Sequence, residues 1–280
     1  MKPQNVKGTR DIVGKDAILL NRIISTVKGV FEKYGFQPFY VSALENAETL
    51  KTKISDEMLG LIYEFKDKAG RSIGLRYDLT LGLARVAATS QLSMPFKRYQ
   101  IARAWRYEAP QAGRYREFWQ ADIDVLGVEN SKADAECLVC VSEVLENIGI
   151  KNFIIRVNSR GLLEQISDKL KLGKERVKVF QIIDKGDKIG KQEVARELEM
   201  LLGKGKAKEL LTLLESDLIT VKKSGYSMGD IDNLLKYAKF YGISDKVEVD
   251  LSLVRGLAYY TGLIFEVSVG EKQSIAGGGR

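Results

Sequence analysis

The chain has 280 residues, 45% hydrophobic and 29% charged, an ordinary balance for a soluble globular protein with room for one large domain or two modest ones. No uninterrupted apolar run approaches the ~20 residues of a membrane helix, and the opening Met-Lys-Pro-Gln-Asn-Val-Lys-Gly lacks the apolar stretch of a secretory signal, which makes cytoplasmic the default location. A net charge of +7 leans toward polyanionic partners, and the absence of histidine excludes His triads, His general bases and His metal ligands within this chain.

In chain order, Lys7-Gly8-Thr9-Arg10-Asp11 is a polar opening segment. Asp16 to Tyr34 is predicted helical from the spacing of Leu19, Ile23, Ile24, Val27, Val30 and Phe31, with Gly35 as its stop. Phe36 to Leu44 reads as strand-like around Pro38, and Ala47 to Leu61 as polar and partly helical. Tyr63–Lys66 and Ser72–Arg76 flank the turn signal Asp67-Lys68-Ala69-Gly70 and predict a β-hairpin. Asp78 and Thr80 then fall where a strand ends and a helix (about Leu81 to Ser90) begins. They serve either as a helix cap or as polar groups presented to a ligand.

Met94 to Ile101 is an extended lead into Arg103–Gly127, the densest chemistry in the chain. Two strand-like runs flank a polar loop there. Arg103, Arg106, Arg114 and Arg116 alternate with Glu108, Glu117, Asp122 and Asp124. Guanidinium groups grip phosphate bidentately, so the stretch is expected to be a hairpin that holds a nucleotide phosphate. Ala133–Ile150 is predicted to be a helix burying Leu138, Val141, Val144 and Leu145. Its Cys137-x-x-Cys140 reads first as two small buried residues and second as a redox or metal pair.

Phe153 to Asn158 is a strand. From Gly161 to about Lys246 the pattern turns helical, for example over Val194–Leu202, Ala207–Leu214 and Ile231–Tyr241, and lysines crowd its first part. A helical module inserted between strands of another domain is the expected organisation: core 1–161, insertion 162–246, core 247–280. The lysines are a solvated face by default and a polyanion site in the minority reading. Val247–Leu251 returns to strand, and Gly277-Gly278-Gly279 either lets backbone approach a flat ligand or forms a flexible turn.

These motifs resemble histidyl-tRNA synthetases, the class II aminoacyl-tRNA synthetases for histidine, in an archaeal-like form. Lys7 to Asp11 resembles the family's N-terminal signature, and Tyr34-Gly35-Phe36-Gln37 through Leu44-Glu45 resembles motif 1, which implies a homodimer. Arg103–Gly127 resembles motif 2. Arg255-Gly256-Leu257 with Tyr259-Tyr260, and Ala276-Gly277-Gly278-Gly279-Arg280, resemble the two histidine-binding signatures. The resemblance implies an α+β fold, a mainly antiparallel sheet flanked by helices with a helical insertion that meets the tRNA(His) acceptor arm.

It also implies ATP-dependent formation of histidyl-adenylate, with Mg²⁺, and transfer of histidine to tRNA(His). Arg106 and Arg255 are implied as catalytic groups at the α-phosphate, each expected to be worth on the order of 3 kcal/mol of barrier. ATP would be bound by Arg106, Glu108 (at the adenine side or orienting Arg106) and Arg114, and histidine by Asp78, Thr80, Gln120, Asp124, Arg255, Tyr259 and Tyr260. No metal-ligating residue is assigned. The implied chemistry needs no side-chain nucleophile or base, so a chain without histidine can perform it by positioning and charge stabilisation. Ser42 and Ala258 depart from the family's usual Pro and Asp. The family's motif 3 and anticodon-binding domain would follow Arg280, so a truncated synthetase is expected. The alternative is a non-catalytic histidine-binding paralogue such as the regulatory subunit of ATP phosphoribosyltransferase, against which the intact arginines weigh.

Overall fold

The computed structural model describes residues 2–52, 54, 56–109, 113–254, 259–270 and 273–280. The chain divides into two compact units, one of residues 1–128 with 143–149 and the other of residues 129–142 with 150–280.

The first unit opens with α1 (Lys15–Lys33), which buries Val27, Val30 and Phe31 and carries Asp16 in its first turn and Lys33 in its last, as the helix dipole favours. Gly35 stops it at φ +76°. The Gly35 N–H donates to Glu32 O and the Phe36 N–H to Phe31 O, a left-handed turn that glycine enters without a Cβ penalty. The Phe31 and Phe36 rings, 6.4 Å apart, close over it.

There follow β1 (Gln37–Pro38), β2 (Leu44–Asn46), α2 (Ala47–Leu50), α3 (Asp56–Leu59), β3 (Glu64–Lys66), β4 (Ser72–Leu75), α4 (Thr80–Thr89), β5 (Phe96–Trp105) and β6 (Glu117–Leu126). The single strand expected over Phe36–Leu44 is two short strands in different sheets. β1 pairs parallel with β5 and β2 antiparallel with β4. Pro38 has no N–H to extend the first ladder, which accounts for its brevity. The expected hairpin is β3–β4, and the Asp67 carboxylate builds its turn by accepting the N–H groups of Ala69 and Arg71, both at 2.9 Å. β5 and β6 form a ten-residue antiparallel ladder from Phe96↔Leu126 to Trp105↔Glu117.

Helix α5 (Ser131–Asn147) is shared between the units. Cys140 within it is fully buried and Cys137 half-buried, so the first reading of the cysteine pair holds for Cys140; of the side chains expected to be buried, Leu138, Val144 and Leu145 are, and Val141 is half-buried.

In the second unit β7 (Phe153–Ser159) leads into α6 (Arg160–Lys169), a 3-10 turn at Gly173–Glu175, then α7 (Arg176–Asp184), α8 (Gly186–Ile189), α9 (Lys191–Leu202), α10 (Lys204–Leu214), α11 (Leu218–Lys223) and α12 (Gly229–Phe240). The chain closes with β8 (Val247–Val249), β9 (Leu263–Val269) and β10 (Gln273–Gly279). Their order in the sheet is β10-β9-β7-β8. β7 pairs parallel with β8 and antiparallel with β9. The helical stretch therefore leaves and re-enters one sheet, as a parallel pair requires of a long crossover. Ile155 and Val157 on β7, and Leu163, Ile166, Leu198, Leu210 and Ile231 on the helices, are fully buried, while Lys169, Lys171, Lys174, Lys178, Lys185 and Lys191 are exposed.

The three glycines near the C-terminus make neither a turn nor a bare platform. They lie in β10, where a Cβ on Gly278 would come within 2.4 Å of the Phe265 ring and one on Gly279 within 2.9 Å of the Tyr260 ring. The flat groups against this backbone are the protein's own aromatic side chains.

Candidate functional site

Strand alternation sorts the β5–β6 ladder into two faces. One carries Arg98, Gln100, Ala102 and Ala104 opposite Asp124, Asp122, Gln120 and Phe118. The other carries Arg103 and Trp105 opposite Trp119 and Glu117. Arg103 is consumed on that second face: its NH1 meets Glu117 Oε1 at 2.7 Å, and its guanidinium lies 5.5 Å from the Trp119 ring. Of the four arginines that drew attention to this stretch, one is thus a structural pair.

The first face is the chemically loaded one. Arg98 is completely buried, with NH2 2.5 Å from Asp124 Oδ2 and 3.3 Å from Leu79 O. Gln100 is buried beside it. Where α4 begins, Asp78 Oδ1 accepts the Leu81 N–H at 3.0 Å, so the helix-cap reading of Asp78 holds for one of its oxygens. Thr80 is exposed at the start of the helix. Just past β5, Arg106 donates its Nε to Tyr77 O at 3.0 Å and stacks 5.1 Å from the Phe118 ring. In the loop Arg114 NH1 stands 3.5 Å from Glu108 Oε2. Glu108 therefore meets Arg114 through its carboxylate and Arg106 through its backbone N–H, which donates to Arg106 O at 2.8 Å.

Three carboxyls share this face with two guanidiniums, and burial dominates their titration. Burial raises Asp122 from its ordinary 3.8 to about 7; Arg98 and Arg106 oppose the rise, while Asp124 and Asp78 add to it. Asp124 is also raised, by burial and by Asp78 against the pull of Arg98. Asp78 is raised by burial, with the Leu81 N–H, Arg106 and Arg98 opposing. The buried oxygens Gln100 Oε1 and Gln120 Oε1 find no hydrogen-bond donor among the described residues. A site with strained carboxyls and spare acceptors is complementary to a cationic, hydrogen-bond-donating group. Toward the loop the charge reverses, with Arg106 and Arg114 offering guanidinium to an anion. From Phe118 to Asp124 the strand advances about 20 Å, enough for a ligand with an anionic end at the loop and a cationic end at the aspartates.

Sequence reading found Asp78, Arg106, Gln120 and Asp124, which the structure gathers here. It missed Arg98, Gln100 and Asp122 as site residues. Period-two alternation carried forward from Asp124 and Gln120 would have put Asp122 between them on the same face. Arg98 and Gln100 needed the cross-strand register as well. Tyr259 and Tyr260 belong to the second unit, with ring centroids 4.4 Å apart and Tyr259 exposed. Arg255 and the departure at Ala258 lie outside the described residues. The second unit also holds a cleft of about 720 Å³ lined in part by Arg156, Asp250 and Glu266; none of the expected site residues lines it.

A family model described as histidyl-tRNA synthetase matches residues 8–280. The chain belongs to the histidyl-tRNA synthetase family. It is 40% identical to the histidine–tRNA ligase of Aeropyrum pernix, over all of this chain and 68% of that protein. Against that of Treponema denticola it is 35% identical, over 98% of this chain and 65% of the relative. It thus spans about two thirds of the length of these relatives. The crystal structure of histidyl-tRNA synthetase from Nostoc sp. PCC 7120 superposes with a TM-score of 0.87 at 27% identity, covering all of this chain and 68% of that one. A Bacillus halodurans protein described as an ATP phosphoribosyltransferase regulatory subunit/histidyl-tRNA synthetase has the same fold, with a TM-score of 0.85 at 21% identity over 99% of this chain and 76% of that one. The α+β fold expected from the sequence is therefore the one that histidyl-tRNA synthetases share.

Proposed function

We propose that the chain is the catalytic region of a class II histidine–tRNA ligase, activating histidine with ATP and passing it to tRNA(His). The observation that carries this reading is the two-signed face of the β5–β6 hairpin. Arg106 and Arg114 take the ATP phosphates at the loop end. Asp78, Thr80, Gln120 and Asp124 take the amino acid at the other, joined by Arg255, Tyr259 and Tyr260 on the strength of the family signature. The histidine carboxylate attacks the α-phosphorus, the bond to pyrophosphate breaks, and charge that builds on the phosphoryl oxygens is met by guanidinium. An amino acid without imidazole nitrogens would leave the buried acceptors of this face unpaired, which makes discrimination steep.

Magnesium would arrive with the nucleotide. It would be held chiefly by phosphate oxygens and water. Tyr40 and Leu44 of the motif 1-like segment, and Val13 and Ile18 in and before α1, are exposed apolar side chains, and we assign them to a homodimer contact. The lysine-rich helices suit the tRNA backbone. Cytoplasmic location fits such a substrate set, and among the described residues no helix is long and apolar enough to cross a membrane. A regulatory histidine-binding role is the weaker reading, because relatives at 35–40% identity are histidine–tRNA ligases.

The test is ATP–pyrophosphate exchange with each amino acid in turn. Exchange dependent on histidine and abolished by Asp124→Ala is expected; exchange that survives the substitution would remove Asp124 from imidazole recognition. Histidine binding without exchange would favour the regulatory role.

A further inference from the structure

The segment Lys7-Gly8-Thr9-Arg10-Asp11 carries a recognisable pattern but no part in the function proposed above. In the first unit it runs as a strap against the loop that follows Arg106. The Thr9 N–H and Oγ1 both donate to Val6 O, at 2.9 and 2.8 Å, closing a turn over Val6–Thr9. Gly8 stands at its third position with φ +87°, the sign that a type II turn demands there and that glycine adopts at least cost. Asn5 Nδ2 donates to Asp11 Oδ2 at 3.2 Å and holds the two flanks of the turn together.

The turn presents two carbonyls to a single arginine. Gly8 O accepts the Arg116 N–H at 2.8 Å, and Lys7 O accepts Arg116 NH1 at 3.2 Å. Beside them Arg10 lies 4.1 Å over the Tyr115 ring and donates NH1 to the Tyr115 hydroxyl at 3.2 Å. Arg116 spends its remaining groups on the base of the loop. Its Nε donates to Glu108 O at 3.1 Å, its guanidinium stacks 3.9 Å over the Tyr107 ring, and its own carbonyl accepts the Arg106 N–H at 3.0 Å. One arginine held by the strap thereby fixes the backbone at Arg106 and Glu108, and Glu108 in turn meets Arg114.

We propose that the N-terminal strap, through Gly8 and Arg10, positions the phosphate-facing arginines Arg106 and Arg114. Gly8 and Arg10 are positioning residues that act through Arg116 and Tyr115, and the inference rests on the reading of Arg106 and Arg114 as ATP contacts. Free in water, a loop that must order its arginines on binding loses affinity for the ligand that orders it. Removing the strap should therefore weaken ATP and leave histidine alone.

Calorimetric titration of the chain with Mg·ATP and, separately, with histidine tests this for wild type, Arg10→Ala, Arg10→Lys, Tyr115→Ala and the Arg10→Ala/Tyr115→Ala pair. Arg10 is exposed, so its replacement leaves the core intact, and circular dichroism checks each fold. Arg10→Ala is expected to weaken ATP by about threefold to tenfold and to leave histidine affinity unchanged. Arg10→Lys should behave like Arg10→Ala, because lysine keeps the charge but not the planar stack. The double variant should lose no more than the worse single one, as coupled residues do. Full ATP affinity in Arg10→Lys would reduce Arg10 to a charge and overturn the proposal, as would unchanged ATP affinity in Arg10→Ala or an equal loss of both ligands. A wild-type chain that binds neither ligand overturns the proposed function and the strap's role together. Wild-type binding of both, with the Arg10→Ala variant indistinguishable, overturns the strap alone.

Discussion

Replacing Asp122 with asparagine keeps the shape of the side chain and removes a charge that the fold tolerates poorly. Burial, reinforced by Asp124 and Asp78, raises this carboxyl from 3.8 to about 7 against the attraction of Arg98 and Arg106. The folded protein therefore holds the Asp122 proton more tightly than the unfolded chain does. Stability tied to that proton is fully present below pH 3.8 and is lost as pH rises toward 7. Counted whole, at about 1.4 kcal/mol per tenfold, ionising Asp122 costs the fold about 4 kcal/mol. At pH 5 roughly two fifths of that cost is incurred and at pH 8 all of it, and solvent reaching the carboxyl reduces both values. Asp122→Asn is thus expected to be more stable than wild type, with a gain about 1–2 kcal/mol larger at pH 8 than at pH 5. Urea unfolding followed by tryptophan fluorescence reads this cleanly, because both tryptophans of the chain, Trp105 and Trp119, lie on the β5–β6 hairpin. A gain equal at the two pH values, or larger at pH 5, would refute the assignment of a strained carboxyl to this face. At pH 8 the same variant should bind histidine less well, since the cation that relieves Asp122 would lose its partner.

Arg98→Ala removes the only guanidinium within 4 Å of the Asp124 carboxylate among the described residues. It should destabilise the first unit by about 3–5 kcal/mol, read by the same fluorescence transition. Asn158→Ala leaves Leu251 O and Leu253 O without the amide that now donates to them at 3.1 and 3.0 Å from a fully buried position; a loss of about 2–3 kcal/mol is expected in thermal unfolding of the second unit. Gly278→Ala drives a Cβ to 2.4 Å from the Phe265 ring and should cost about 1–3 kcal/mol. Adding Phe265→Leu should recover part of that loss, and a double variant no better than Gly278→Ala would mean that the ring is not the obstacle.

A helix announced by apolar spacing and a glycine stop, as α1 is with Gly35, was legible in the sequence because both signals are local. The β3–β4 hairpin was legible for the same reason: Asp67 builds the turn from residues within four positions of itself. Legibility ended where one segment's conformation depends on a distant one. Phe36–Leu44 has strand composition throughout, yet within it Gln37–Pro38 pairs with β5, followed by one bond from the Phe39 N–H to Tyr99 O, and Leu44 pairs with β4. The glycine run was ambiguous for want of knowing that Phe265 stands opposite Gly278. Arg98 reads as one more basic residue in an extended segment until the ladder puts Asp124 across from it.

Asp122, which escaped sequence reading as a site residue, is also the residue least favourable to the fold, and the two facts have one cause. Asp122, Asp124 and Asp78 are drawn from two segments, and only the assembled hairpin and α4 crowd them against Arg98 and Arg106. No single segment looks strained. A core built only for stability would leave Asp122 apolar at this position, because burying a third carboxyl against two guanidiniums costs more than it returns. Its presence makes sense when the missing positive charge comes from a ligand, whose binding then lowers the carboxyls toward their ordinary range and releases protons. Proton release on histidine binding between pH 6 and 8, measured by calorimetry in buffers of different ionisation enthalpy, is the direct consequence. Binding with no proton change across that window would leave the third carboxyl of the face without a purpose.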